Sequence, residues 1–137
     1  MQKRFLLFGT FSGAIAVALG AMGAHFLKTK LELGLLTLTN LQAFETAVRY
    51  QIYHSILLII FALLFDKVNN KLLLRAGQCI ITGIVLFSGS IYLLSTSELL
   101  GLSVRFLGPI TPIGGLFLIL GWLLLGISGI SKKTNSF

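Results

Sequence analysis

The polar residues that could do chemistry are concentrated in one stretch of an otherwise apolar sequence. Between residues 44 and 54 the chain carries Glu45, Arg49, Tyr50, Tyr53 and His54. Glu45 and Arg49 have the i, i+4 spacing and the order that favour an ion pair on a helix. An arginine can also hold a carboxylate or phosphate, and tyrosine and histidine can supply hydrogen bonds or a proton path. This stretch therefore predicts binding of an anionic group.

If the stretch is helical, its polar residues share one face. At 100° per residue they occupy roughly half of the circumference. That half contains Gln42, Glu45, Thr46, Arg49, Tyr50, Tyr53 and His54. The apolar half contains Phe44, Val48, Ile52 and Ile59. We expect the polar face to point into the protein and the apolar face to contact lipid or an apolar neighbour.

Residues from other apolar segments should reach the same level of the membrane. His25 lies near the end of the first segment, Tyr92 near the end of the third, and Arg105 before the fourth. We therefore predict a ligand-binding site in the outer-leaflet half of the protein. Its residues are His25, Glu45, Arg49, Tyr50, Tyr53, His54, Tyr92 and Arg105.

No pattern typical of an enzyme or a metal site accompanies these residues. The sequence contains no Ser-x-x-Lys, G-x-S-x-G, HExxH or phosphate-loop pattern. The two histidines lack metal-ligand spacing, and Cys79, the only cysteine, cannot form an internal disulfide. We therefore predict no enzyme, no catalytic residue, no metal ion and no cofactor.

The composition indicates that most of the protein's surroundings are lipid. Hydrophobic residues make up 55% of the 137-residue chain and charged residues 11%, with a mean hydropathy of +0.94. A soluble domain carries roughly 25% charged residues. The formal net charge is +7. Because the basic residues lie at the ends of apolar runs and form no patch, nucleic acid is not expected as a partner.

Four apolar stretches are long enough for transmembrane helices, which need about 20 apolar residues each. They predict a single transmembrane domain over residues 1–137, with helices at about 5–27, 40–65, 72–96 and 112–131. The first run is too long for a signal peptide, so its helix should be retained. The leucine-rich segment 28–39 is predicted to lie on the membrane surface. The fold class is therefore an all-α bundle of four transmembrane helices.

The distribution of Lys and Arg predicts the orientation of the bundle. One side carries seven basic residues: Lys3, Arg4, Lys67, Lys71, Arg75, Lys132 and Lys133. The other side carries four: Lys28, Lys30, Arg49 and Arg105. Because cytoplasmic loops are richer in Lys and Arg, we expect both termini to be cytoplasmic.

Local signals predict two helix starts and one close contact between helices. Thr39 begins a T-x-x-Q capping box, so the second helix should start near residue 40. Thr111 as N-cap, with Pro112 at the first helical position, predicts the start of the fourth helix. The alternative is a longer helix that is kinked at the prolines. A G-x-x-x-G pair that starts at Gly9 predicts close packing of the first helix.

The residues that stand out also resemble a known family. They are Gly-Ala-His at 23–25, the run 44–54, the segments 89–92 and 105–115, and Gly-Trp at 121–122. Together they resemble the signature of the domain-of-unknown-function 423 family, the relatives of transmembrane protein 256. The resemblance runs over nearly the whole chain, and the long leucine-rich first loop is the main departure. It implies a bacterial inner-membrane protein without an established activity.

Three hypotheses for the function follow. The first is a site that binds a lipid headgroup or a small anionic ligand, with membrane lipids as partners. The second is a structural or assembly role in a membrane complex or homo-oligomer, in which an ion pair of Glu45 and Arg49 locks the bundle. The third is haem or quinone binding, with His25 and His54 as axial ligands.

Overall fold

The computed structural model describes residues 1–131, which are helical over most of their length. The helices are α1 (Gln2–Glu32), α2 (Leu38–Leu64), α3 (Asn70–Leu100) and α4 (Ile110–Ile130), and a 3₁₀ turn (Arg105–Leu107) precedes α4. All four are long and apolar enough to cross a membrane. The predicted all-α protein with four candidate spans is therefore confirmed.

The four helices pack as two neighbouring pairs. Helix α1 lies along α2, α3 lies along α4, and α2 also contacts α3. The Gln2 side chain donates to the Ala62 carbonyl oxygen at 2.8 Å, and the Asn69 N–H donates to the Ser128 carbonyl oxygen at 3.2 Å. These contacts bring the start of α1, the α2–α3 loop and the end of α4 together at what we call the proximal end. The other two connections lie at the distal end.

Glycines allow the helices to approach closely. A Cβ atom added at Gly9 would lie 2.7 Å from the Ser55 carbonyl oxygen of α2, which confirms the predicted packing through the first residue of the G-x-x-x-G pair. On α4, a Cβ atom at Gly114 would overlap the backbone of Leu86 and Phe87 in α3. In lipid, where burial of apolar area does not drive association, such close approach provides the contact between helices.

The apolar interior is divided into a proximal and a distal cluster. The larger, proximal cluster includes Phe5, Phe61, Leu73 and Ile80. The smaller, distal cluster consists of Leu27, Leu36, Leu41, Phe44 and Val48. Polar side chains are buried between the two clusters, and they form the site described below.

The segment 28–39, predicted as a loop on the membrane surface, is helical in its first part, because α1 continues to Glu32. Its position on the membrane surface stays a prediction. The chain then turns at Gly34, whose φ is +71°. The N–H groups of Gly34 and Leu35 donate to the carbonyl oxygens of Leu31 and Lys30, at 3.0 and 2.9 Å. This pair of bonds is a Schellman motif, in which a left-handed glycine satisfies the last carbonyl groups of a helix.

The predicted starts of two helices are also wrong by a few residues. Helix α2 is capped by Thr37 and not by Thr39, since the Thr37 hydroxyl oxygen accepts the N–H of Asn40 at 3.2 Å. Helix α4 begins at Ile110, so Pro112 lies in its first turn. The missing N–H of a proline costs no intrahelical bond there, and Pro112 therefore needs neither a new start nor a kink.

The close contact at Gly114 gives a prediction for stability. We expect Gly114→Ala to lower the stability of the bundle by about 1–3 kcal/mol, because the added methyl group has to displace the backbone of α3. Gly126→Ala is the matched control, since no atom lies within 4 Å of a Cβ there. Thermal unfolding in one detergent compares the two variants, and equal melting temperatures would contradict the prediction.

Candidate functional site

The structure places the eight predicted site residues in several separate environments. Glu45 and Arg49 line a groove between α1 and α2. Tyr50, Tyr53 and His54 are neighbours on another side of α2. The remaining three occupy separate places: Tyr92 points to the interior, and His25 and Arg105 line two different clefts at the distal end. The eight residues therefore do not form one pocket, and their role in binding stays a prediction.

The predicted faces of α2 are largely reversed in the structure, although His54 is buried as predicted. Phe44 and Val48, expected to face lipid, are 1% and 7% exposed, whereas Tyr50 and Tyr53 are 41% and 57% exposed. The reason is that α1 approaches α2 on the side of Phe44 and Val48. Helix α1 can do so because Gly20 and Gly23 present no side chain there. In a membrane the small residues, more than the polar ones, determine which face of a helix is buried.

Gln51 is the centre of a buried polar network that the sequence did not single out. Its Nε2 donates to the Ser12 carbonyl oxygen at 3.0 Å and lies 3.3 Å from the Ser12 hydroxyl. Its Oε1 accepts the hydroxyl proton of Tyr92 at 2.7 Å. The Ser55 hydroxyl lies 2.6 Å from the Gln51 carbonyl oxygen and 2.9 Å from the Ser12 hydroxyl. One side chain thus connects α1, α2 and α3.

This network contains no charge and leaves no buried polar atom without a partner. Among residues 1–131, every buried side-chain nitrogen and oxygen has a hydrogen-bond partner. The Ser88 hydroxyl adds a second connection between α3 and α2, since it donates to the Ala47 carbonyl oxygen at 2.9 Å. Because a fully satisfied polar network specifies one arrangement of its helices, this network holds the bundle together.

The predicted ion-pair lock of Glu45 and Arg49 is not formed. Within the described part of the chain, the Arg49 guanidinium donates to the hydroxyl of Thr46 at 3.3 Å and makes no ion pair with Glu45. Both charged residues are exposed on the surface of α2. The lock between helices consists instead of neutral amide and hydroxyl groups.

Both ring nitrogens of His54 have a partner, and Nε2 connects α2 to α4. Nδ1 lies 2.7 Å from the Tyr50 carbonyl oxygen, and Nε2 lies 3.2 Å from the indole Nε1 of Trp122. A carbonyl oxygen can only accept and an indole N–H can only donate. Nδ1 must therefore carry the proton and Nε2 must accept one, so these contacts require the neutral Nδ1–H tautomer.

The two histidines cannot be axial ligands of one haem in this arrangement. Gly23 lies opposite Phe44, and His54 is ten residues beyond Phe44 along α2. Ten residues of helix correspond to about 15 Å. His25 lies on the far side of Gly23, which increases the separation. In addition, Nε2 of His54 is occupied by Trp122.

Two cavities lie along α1, and one of them borders the buried network. The groove between α1 and α2 has a volume of about 250 Å³, and Gly20 and Gly23 leave its space beside Arg49. A cleft of about 370 Å³ lies between α1 and α3. Its walls are apolar, with Phe11, Ile15 and Val85 among them, and Gln51 and Tyr92 line its polar part. In the cleft, however, the polar groups already bond one another.

The contact between His54 and the only tryptophan can be tested by fluorescence. We expect His54→Leu to remove the acceptor of the Trp122 N–H and to shift its emission to shorter wavelength, with a loss of stability of about 0.6 to 1.7 kcal/mol. His25→Leu is the control, because His25 lies exposed on α1. An emission spectrum that His54→Leu leaves unchanged would show that the contact is not formed.

Comparison with known proteins identifies the family. A family model described as "Protein of unknown function (DUF423)" matches residues 19–115. The UPF0382 membrane protein YwdK of Bacillus subtilis (strain 168) is 36% identical over 130 residues, covering 94% of this chain and 98% of its own length. The UPF0382 membrane protein SH2409 of Staphylococcus haemolyticus is 39% identical over 127 residues, covering 93% and 95%.

A more distant relative is named as an inner membrane protein. The UPF0382 inner membrane protein YgdD of Escherichia coli (strain K12) is 33% identical over 137 residues, covering 97% of this chain and 95% of its own length. No solved structure gives a significant match. Together with the four apolar helices, these relatives establish a multi-pass membrane protein. The chain therefore belongs to the DUF423 family of membrane proteins of unknown function, as its residues led us to expect.

Proposed function

We propose that this protein binds the anionic headgroup of a membrane lipid through Arg49, in the groove between α1 and α2. The observation that carries the proposal is the small number of hydrogen bonds made by the Arg49 guanidinium. It has five N–H donors, and within residues 1–131 its one hydrogen bond is the 3.3 Å contact with Thr46. An arginine with this many free donors suits a phosphate group.

The depth of Arg49 supports a bound anion. Helix α2 has 27 residues and is about 40 Å long, which exceeds a hydrocarbon core of about 30 Å. Arg49 lies 11 residues beyond Leu38, about 16 Å along the axis. An arginine inside the hydrocarbon region costs at least about 2.5–3.5 kcal/mol, and a phosphate reached by the long side chain would lower that cost.

The groove has the composition expected for a headgroup with hydroxyl groups. Glu45 lines it together with Arg49 and makes no ion pair with it. A carboxylate accepts hydrogen bonds from neutral hydroxyl groups. A phosphate next to Arg49 and a hydroxyl next to Glu45 together fit a phosphoglycerol headgroup. Gly20 and Gly23 leave space for it beside α1.

Lipid titration of the purified protein tests this proposal. In native mass spectrometry we expect Arg49→Gln to bind phosphatidylglycerol about tenfold more weakly than the wild type, equivalent to about 1.4 kcal/mol. Arg75→Gln is the matched control, because Arg75 is also exposed but lies near the proximal end of α3. Competition by free glycerol phosphate would indicate a soluble anion as the ligand. Equal binding by both variants would refute the proposal and favour an assembly role.

We also propose that the proximal end faces the cytoplasm. Lys3, Arg4, Lys67 and Lys71 lie at or next to this end, and their excess fits the positive-inside rule. Lys132 and Lys133, which entered the predicted orientation, lie outside the described residues. A fusion of alkaline phosphatase to the C-terminus should be inactive and a fusion of green fluorescent protein should be fluorescent. The reverse result would overturn the orientation and place Arg49 nearer the cytoplasmic leaflet.

A further inference from the structure

A second cleft, away from the Arg49 groove, carries two opposite charges at the distal end of the bundle. It lies between the last turns of α1 and α3 and encloses about 510 Å³. Met22, Phe26, Leu27 and Leu99 are among its apolar lining residues, and Lys30 and Glu98 are its charged ones. Neither charged residue belongs to the predicted polar site.

The two charges share the cleft without neutralising each other. Among the described residues, Lys30 and Glu98 form no ion pair with each other. The Lys30 ammonium lies over the ring of Phe26, 5.1 Å from its centre, and this contact holds it at the rim. A ligand with a negative group next to Lys30 and a positive group next to Glu98 would give each of the two residues a partner of opposite charge.

The helix ends strengthen this pattern of charge. Lys30 and Glu98 each lie in the last turn of a helix, where the carbonyl groups give a partial negative charge. A lysine is stabilised at such a position, but a carboxylate is destabilised there. Glu98 therefore gains from a bound cation. An ammonium group with N–H donors would also give it charge-assisted hydrogen bonds.

The position of the cleft matches the depth of lipid headgroups. Helices α1 and α3 each span 31 residues, about 46 Å, so their ends extend beyond a hydrocarbon core of about 30 Å. The charged rim of the cleft lies at those ends, and Met22, Phe26 and Leu27 lie closer to the membrane interior. An occupant should therefore have a charged head and an acyl chain.

We propose that this cleft binds a phospholipid whose headgroup carries a phosphate and a primary ammonium, with the phosphate at Lys30 and the ammonium at Glu98. The acyl chain lies along Met22, Phe26 and Leu27. This site is independent of the Arg49 groove, because the two cavities share no lining residue. The cleft also distinguishes lipids by the positive group of the headgroup, which binds at Glu98, whereas Arg49 binds the negative group.

The test compares headgroups on the delipidated protein in detergent. By native mass spectrometry we expect the wild type to bind dioleoylphosphatidylethanolamine more tightly than dioleoylphosphatidylcholine, whose methylated ammonium has no N–H donor. Glu98→Gln should weaken binding of the ethanolamine lipid about tenfold and remove the difference between the two lipids. Lys30→Gln should weaken binding of both, and Lys30→Arg should restore it.

Matched controls at the same end separate this cleft from general charge effects. Lys28→Gln and Glu32→Gln remove the same charges from residues that line a neighbouring cleft, and they should bind both lipids as the wild type does. Arg49→Gln should lose phosphatidylglycerol but keep the ethanolamine lipid. Loss of the ethanolamine lipid in Glu98→Gln but not in Glu32→Gln therefore supports this site, whatever the result at Arg49.

Two results would overturn the inference. One is a wild-type protein that binds the ethanolamine and choline lipids equally. The other is a preference for ethanolamine that Glu98→Gln retains, or that Glu32→Gln loses to the same extent. If a variant is unstable, the thermal shift of the wild type with each lipid gives the comparison without a substitution, and equal shifts would also overturn the inference.

Discussion

The arrangement of the bundle depends on the side-chain amide of Gln51. Its nitrogen bonds to α1 and its oxygen bonds to α3, so one residue of α2 fixes the position of both neighbours. In lipid an amide without partners is costly, and apolar side chains gain nothing by leaving one hydrocarbon environment for another. The neutral network around Gln51 therefore supplies directional contacts that the two apolar clusters cannot supply.

The glycines of α1 explain both its close packing against α2 and the groove beside Arg49. At Gly9 the absence of a side chain lets the backbones of α1 and α2 meet. At Gly20 and Gly23 it lets Phe44 and Val48 turn inward and leaves room beside them. Turning these apolar residues inward rotates Glu45 and Arg49 outward. The exposure of the two charges is thus a consequence of how α1 packs.

The sequence predicted the four spans well, because long apolar runs between charged ends have few alternatives. The prediction of the buried face of α2 failed for most of its residues. In water the apolar residues of a helix mark its buried side, but in lipid the polar residues do not mark it in the same way. Gln51 was not predicted because it falls outside the polar half of α2, and Ser12 because it is a polar residue in an apolar run, although its position between Gly9 and Gly13 was a usable signal. The contact of His54 with Trp122 joins residues 68 positions apart, which no local pattern could predict. Thr37 and Thr39 have the same side chain, so the sequence alone does not distinguish Thr37, which caps α2, from Thr39.

The π-helical turn of α3, at Ile84–Ser88, gives this helix two sets of neighbours. Before the turn, Ala76 and Ile80 pack against Gly121 of α4; after it, Tyr92 bonds to Gln51 of α2. A π turn accommodates one extra residue, and one residue corresponds to a rotation of about 100° around the axis. The extra residue therefore rotates the second half of α3 relative to the first half, so the two halves present different faces to the bundle. A single insertion or deletion in this turn would point Tyr92 away from the Gln51 amide.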